Sequence, residues 1–173
     1  MIQIRPALLP DDAAGIAALD TSVQTTNVLA ASAGPHGIVL RSIPQTVTKR
    51  FPLDDVDDPE RPWTTAWVAV DDAQIVGFAA VGFQAWNRRL VLWHFYVDAS
   101  RRGQGLGRAL MEAVLAAAMA RDARHIWLET SNRNPPGVAA YQALGFSLSG
   151  LDLTLYDGTP AEGEFALFFS RAV

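Results

Sequence analysis

VDASRRGQGLGRAL, residues 97–110, sets Gly103, Gly105 and Gly107 at every second position, with Arg101, Arg102 and Arg108 on either side. The run before it, RRLVLWHFYVD, is apolar and rich in β-formers. The run after it repeats apolar residues at helical spacing: Leu106, Ala109, Leu110, Ala113, Val114 and Ala117. The stretch therefore reads as a turn that leaves a strand and opens a helix. Glycine there lets the backbone turn tightly and lets a ligand approach the main-chain amides. The first helical N–H groups have no internal partner, and the helix dipole adds partial positive charge, so the turn suits a phosphate. Arg102 and Arg108 add charge-assisted bonds to such an anion. Spacing separates the known phosphate turns. A P-loop needs Gly-Lys-Ser/Thr at its end, whereas Gly107 is followed by Arg108 and Ala109. The dinucleotide fingerprint needs glycine where Arg108 stands. What remains is Arg102-x-x-Gly105-x-Gly107.

The rest of the chain bounds the reading. Its 173 residues fit one domain, 1–173, and can bury a core. Half of the residues are hydrophobic and 18% are charged, which places the chain in the globular class and outside the disordered one. There is no cysteine, so disulfides, thiolate metal sites and a thiol nucleophile are excluded. The start, MIQIRPALLPDD, lacks the basic and apolar regions of a signal peptide, and no apolar run is long enough to span a bilayer. The reading is a cytoplasmic protein without a membrane partner. A net charge of −4 speaks against nucleic acid, while the local cluster of Arg88, Arg89, Arg101, Arg102 and Arg108 suits a small anion.

Along the chain, MIQIRPA reads as a first strand and PDDAAGIAALD as a helix with Pro10 and the aspartates in its first turn. Residues 21–62 show weak periodicity and several prolines, and the expectation there is short irregular elements and loops on the substrate side. WTTAWVAVD and QIVGFAAVGFQAWN form a hairpin split at Asp71-Asp72, and RRLVLWHFYVD is the next strand. RHIWLETS is a strand, and PGVAAYQAL a short helix closed by Gly145. FSLSGLDLTLYD and GEFALFFSRA are the last two strands.

A second motif joins the first. LETSNRNPPGVAAYQALGF, residues 128–146, puts Asn134 seven residues before Tyr141, with Gly145-Phe146 just after. With both motifs in this order, the chain resembles the GNAT superfamily of acyl-CoA-dependent N-acyltransferases. Its phosphate pattern, Arg/Gln-x-x-Gly-x-Gly/Ala, is met by Arg102, Gly105 and Gly107, and its C-terminal pattern by Asn134, Tyr141 and Gly145-Phe146. The resemblance implies an α+β fold: a mixed, mostly antiparallel sheet flanked by helices, splayed between the fourth and fifth strands. It implies acetyl-CoA as co-substrate, and no metal. The pyrophosphate would sit on Arg102, Gly103, Gln104, Gly105, Leu106, Gly107 and Arg108, and the pantetheine arm would pair with the backbone of Phe95, Tyr96 and Val97. Asn134 would bond the same arm, and Tyr141 would protonate the departing thiolate.

A backbone N–H near Val97 would polarise the thioester carbonyl. An alkyl ammonium of pKa near 10.4 must lose a proton before it attacks. Glu129, on the RHIWLETS strand, is one candidate base and His94 the other. Strand alternation would put His94 on the face opposite to Trp93 and Phe95. Without cysteine, transfer would be direct, within a ternary complex.

Within the superfamily, the segment from LETSNRN to the closing GEFALFFSRA is similar to the streptothricin acetyltransferases, which act on an amine of a β-lysine-containing antibiotic. The implied acceptor is a small cation with a primary amine, and Asp54, Asp55, Asp57, Asp58 and Glu60 form the acidic run that would attract it. A protein N-terminal or lysine acetyltransferase and a non-catalytic acyl-CoA-binding module are the other readings. A homodimer is compatible with the resemblance.

Overall fold

The computed structural model describes residues 2–173. In chain order the elements are β1 (Gln3–Pro6), α1 (Ala13–Ala17), β2 (Val23–Gly34), β3 (Gly37–Lys49), β4 (Thr65–Asp71), β5 (Gln74–Gln84), β6 (Arg89–Val97), α2 (Leu106–Ala120), β7 (His125–Ser131), α3 (Pro135–Ala143), β8 (Ser147–Asp152) and β9 (Ala166–Ala172). They fall into two compact units. Met1–Thr21, Arg50–Leu128 and Ser170–Val173 make the first, and Ser22–Lys49 with Glu129–Phe169 make the second. No helix among the described residues is long and apolar enough to cross a membrane.

In the first unit β1, β4, β5 and β6 pair antiparallel in that order, and β7 joins β6 in parallel. The expected hairpin turns through Asp72 and Ala73, at φ 46° and 65°, the left-handed pair that a two-residue loop requires. β5 is buried along most of its length because both of its faces are covered. Leu110 of α2 lies against one face, over Gly77, while Phe78 and Ala80 face Ile16, Leu19, Val56 and Trp63 on the other. Each such side chain stabilises the fold by roughly 1.5–3 kcal/mol when fully buried. The first helix is shorter than expected. Pro10 and Asp11 stay outside α1, because the Asp12 carboxylate accepts from Arg5 at 2.6 and 2.8 Å and from the Leu8 amide at 2.7 Å, and so caps nothing.

The parallel ladder runs from Arg89↔His125 to Val91↔Trp127, and β6 continues to Val97. β6 and β7 are the strands counted as fourth and fifth from the sequence. They are sixth and seventh in the chain because residues 21–62 hold two strands that were expected to be irregular. β2 and β3 pair antiparallel from Val23↔Lys49 to Gly34↔Gly37, around Pro35-His36. Their side chains are mostly exposed or half-buried on both faces, so no apolar alternation marks them. Pro44 is tolerated beside the irregularity between Thr25 and Asn27.

That ribbon belongs to the second unit, with the end of β7, α3, β8 and most of β9. Asn132 ties these parts together. Its Nδ2 donates to the Leu29 carbonyl at 2.8 Å, and its Oδ1 accepts from the Phe165 amide at 3.0 Å. α3 starts on Pro135-Pro136 and stops at Gly145, φ 87°. There the Phe146 amide donates to the Tyr141 carbonyl and the Gly145 amide to that of Gln142, each at 3.0 Å, which is a Schellman closure.

Candidate active site

In the first unit, Val97 ends β6 and Asp98 starts a short 3-10 turn. The Asp98 carboxylate accepts from the Ser100 amide and from the Asp20 amide, each at 3.0 Å. Desolvation opposes its ionisation, but these bonds and Arg102 outweigh it and hold its pKa below the ordinary value. The loop after α1 is thereby fastened to the glycine turn. Arg102 is exposed and its Nε donates to the Val97 carbonyl at 3.1 Å. Gly103 and Gly105 have φ of 78° and 84°, which glycine adopts without strain, and a Cβ at either would meet no atom within 4 Å. Gly105 is the N-cap of α2, and no side chain caps the helix. The turn is thus an open main-chain cradle at a helix start with Arg102 and Arg108 exposed beside it, and it fits a pyrophosphate. Gln104 is exposed in the same turn, while Leu106 is buried and anchors it.

His94 differs from the alternation expected for it. Ala80 pairs with His94 and Val81 with Leu92, so Trp93 is an extra residue in β6. The bulge turns Trp93 and His94 to the same side, toward Trp63: the Trp93 indole lies over Gly82 beside Trp63, and the His94 ring is 6.2 Å from that of Trp63. Phe95 points the other way, to Gly107 of α2. His94 Nε2 lies 2.8 and 3.0 Å from the two oxygens of Asp55, which also accepts from Trp63 Nε1 at 2.8 Å. The other ring nitrogen, Nδ1, is buried with no hydrogen-bond partner among the described residues. His94 thus links β6 to the 51–62 segment through Asp55. Asp55 leaves the acidic run, while Asp54, Asp57, Asp58 and Glu60 remain exposed. Asp54 lines a cavity of about 340 Å³ with Arg50, Phe51, Leu19 and Thr21.

In the second unit, Asn134 caps α3. Its Oδ1 accepts from the Gly137 amide and its Nδ2 donates to Thr130 Oγ1, each at 3.0 Å. Tyr141 lies on the same helix, with its ring 6.0 Å from Phe146 and 6.4 Å from Phe169. Burial pushes its hydroxyl well above its ordinary pKa of 10.0, and the Glu129 charge adds to this. Glu129 accepts a hydrogen bond from Tyr156. Glu129 is exposed at its surface but crowded by its neighbours, and desolvation raises its pKa from 4.5; Tyr156 and Lys49 lower it in part, and Glu164 raises it again. Glu164 is buried and bound by Lys49 and Ser131. Tyr156, Lys49 and Glu164 are absent from the sequence-derived candidates; Lys49 ends β3, Tyr156 and Glu164 lie in the connection between β8 and β9, and no motif spacing joins them.

Residues 40–146 match the model of the acetyltransferase (GNAT) family. Over 170 residues the chain is 40% identical to a streptothricin acetyltransferase of Streptomyces lavendulae, covering 93% of this chain and 90% of that protein. The crystal structure of a nourseothricin acetyltransferase matches with TM-score 0.88 at 41% identity, covering 99% of this chain and 98% of that one. A Bacillus anthracis structure in complex with acetyl coenzyme A shares the fold at TM-score 0.82 and 23% identity, covering 100% and 99%.

Proposed function

Because the chain belongs to the GNAT family and is an acetyl-CoA-dependent N-acetyltransferase, we propose that its acceptor is a primary amine of a small cationic antibiotic of the streptothricin class. The observation that carries this reading is 40% identity to a streptothricin acetyltransferase along nearly the whole of both chains. We assign the reaction to the cytoplasm, where acetyl-CoA is available.

Acetyl-CoA supplies an activated acetyl thioester. The amides of residues 102–108, with Arg102 and Arg108, hold its pyrophosphate, and the backbone of Phe95, Tyr96 and Val97 receives its pantetheine arm. The open cradle at Gly103 and Gly105 supports the first assignment. Glu129 removes a proton from the acceptor ammonium. Its raised pKa supports this, since a carboxylate is a better base as its pKa nears the working pH. The freed amine nitrogen bonds to the acetyl carbon, and the carbon–sulfur bond breaks. Tyr141 donates its proton toward the departing sulfur. With a hydroxyl above 10.0 and a thiol near 8.5, that transfer alone is uphill. Protonation of Glu129 removes the charge that helps to raise Tyr141, so the base step makes Tyr141 a better acid.

The test is acetyl transfer to streptothricin, polyamines and N-terminal peptides in parallel, read as release of the CoA thiol. The proposal expects kcat/KM for streptothricin to exceed the others by at least about tenfold, some 1.4 kcal/mol of transition-state binding. Higher kcat/KM for a peptide would identify a protein N-acetyltransferase instead.

A further inference from the structure

Side chains from four segments of the second unit converge on Glu129, near the end of β7. Tyr156, from the connection between β8 and β9, donates its hydroxyl to Glu129 Oε1. Lys49, the last residue of β3, has its ammonium 6.0 Å from the centre of the Tyr156 ring. That ammonium is bonded to Glu164, just before β9, and Ser131 donates to the same Glu164 oxygen. The other Glu164 oxygen is 4.0 Å from the Arg133 guanidinium. Tyr141 of α3 also feels the Glu129 charge.

We propose that Tyr156 and Glu164 are positioning residues for the acetyl transfer: Tyr156 holds one oxygen of Glu129, and Glu164 holds Lys49 and offsets its charge at Glu129. This rests on the reading of Glu129 as the base. A lysine in direct contact with a carboxylate lowers its pKa by 1–3 units or so and makes it a poor base near neutral pH. From its place on Glu164, Lys49 still lowers the Glu129 pKa, and the Glu164 charge offsets it. Tyr156 acts in the opposite sense, because its hydrogen bond favours the ionised carboxylate. The two residues therefore pull the basicity of Glu129 in opposite directions, a signature that general loosening of the structure would not produce.

The experiment is the pH profile of kcat/KM for the acceptor amine in the wild-type enzyme and in Tyr156→Phe, Glu164→Gln and Glu129→Gln. The ammonium pKa of the acceptor is common to all four, so differences report the enzyme. Tyr156→Phe should move the acidic limb to higher pH by on the order of one unit, and Glu164→Gln should move it to lower pH by a similar amount. Glu129→Gln should abolish the limb. If it does so while the limb stays in place in the other two variants, the inference falls and the base reading stands. If the limb survives in Glu129→Gln, both fall. Titration of the ¹³C-labelled Glu129 carboxylate by NMR, in wild type and in the half-exposed Tyr156→Phe variant, gives the same answer should Glu164→Gln not fold. An unmoved carboxylate pKa overturns the inference.

Discussion

Gly107 separates a structural need from a functional one. Its Cβ would lie 3.9 Å from the Phe95 ring, an ordinary contact, and no left-handed φ demands glycine there. Inside α2, alanine should be as good or better by about 0.5–1 kcal/mol. Gly107→Ala should therefore keep or raise Tm; if its bare backbone receives the pyrophosphate as proposed, acetyl-CoA binding should weaken by roughly tenfold or more in calorimetry. Unchanged affinity would mean that Gly107 does not line the pyrophosphate. Tyr141 is tested differently. Tyr141→Phe should lower kcat on the order of tenfold to a thousandfold with acetyl-CoA affinity nearly intact. Because burial raises its pKa, Tyr141 stays protonated across the working range, so it should add no basic limb below pH 10.0. A wild-type kcat in the Phe variant, with chemistry rate-limiting, would assign the proton to another donor.

At the scale of elements, α3 shows how one residue joins stability to binding. A Cβ at Gly137 would lie 2.2 Å from Asn134 Nδ2, so Gly137→Ala must push the capping side chain away. The cost expected from loss of an N-cap is about 0.5–2 kcal/mol, measurable as a lower Tm. If Asn134 also bonds pantetheine, acetyl-CoA affinity should fall with it. Equal stability of the Ala variant would show that the cap is dispensable. The β6 bulge is the counterpart on the other unit. One extra residue, Trp93, shifts the phase of the strand and delivers His94 to Asp55. No alternation rule applied to LVLWHFYV finds that shift, because bulges are set by pairing with a neighbouring strand rather than by the strand's own residues.

For the molecule as a whole, what the sequence revealed followed how strongly local chemistry constrains local structure. The glycine turn, α2 and the Gly145 closure of α3 were legible because each depends on residue types at fixed spacing. The β2–β3 ribbon was not, since its residues bury neither face. The Lys49–Glu164–Tyr156–Glu129 cluster was not, since tertiary folding alone assembles it. The acidic run was legible as charge but not as structure, because Asp55 is spent on His94 and Trp63. If the run steers a cationic acceptor, its exposed aspartates Asp54, Asp57 and Asp58 do so beside Glu60. Changing these three to Asn should flatten the salt dependence of kcat/KM for a cationic amine and leave a neutral amine unaffected, since exposed charges are screened beyond about 8 Å at physiological ionic strength. An unchanged slope would remove the acidic run from acceptor choice.

The most direct measurement of the central claim is mass spectrometry and NMR of streptothricin after incubation with the protein and acetyl-CoA. One added acetyl group is expected, on a primary amine of the β-lysine portion, with CoA released in equal amount. Unmodified antibiotic, in the presence of protein shown to bind acetyl-CoA, would contradict it.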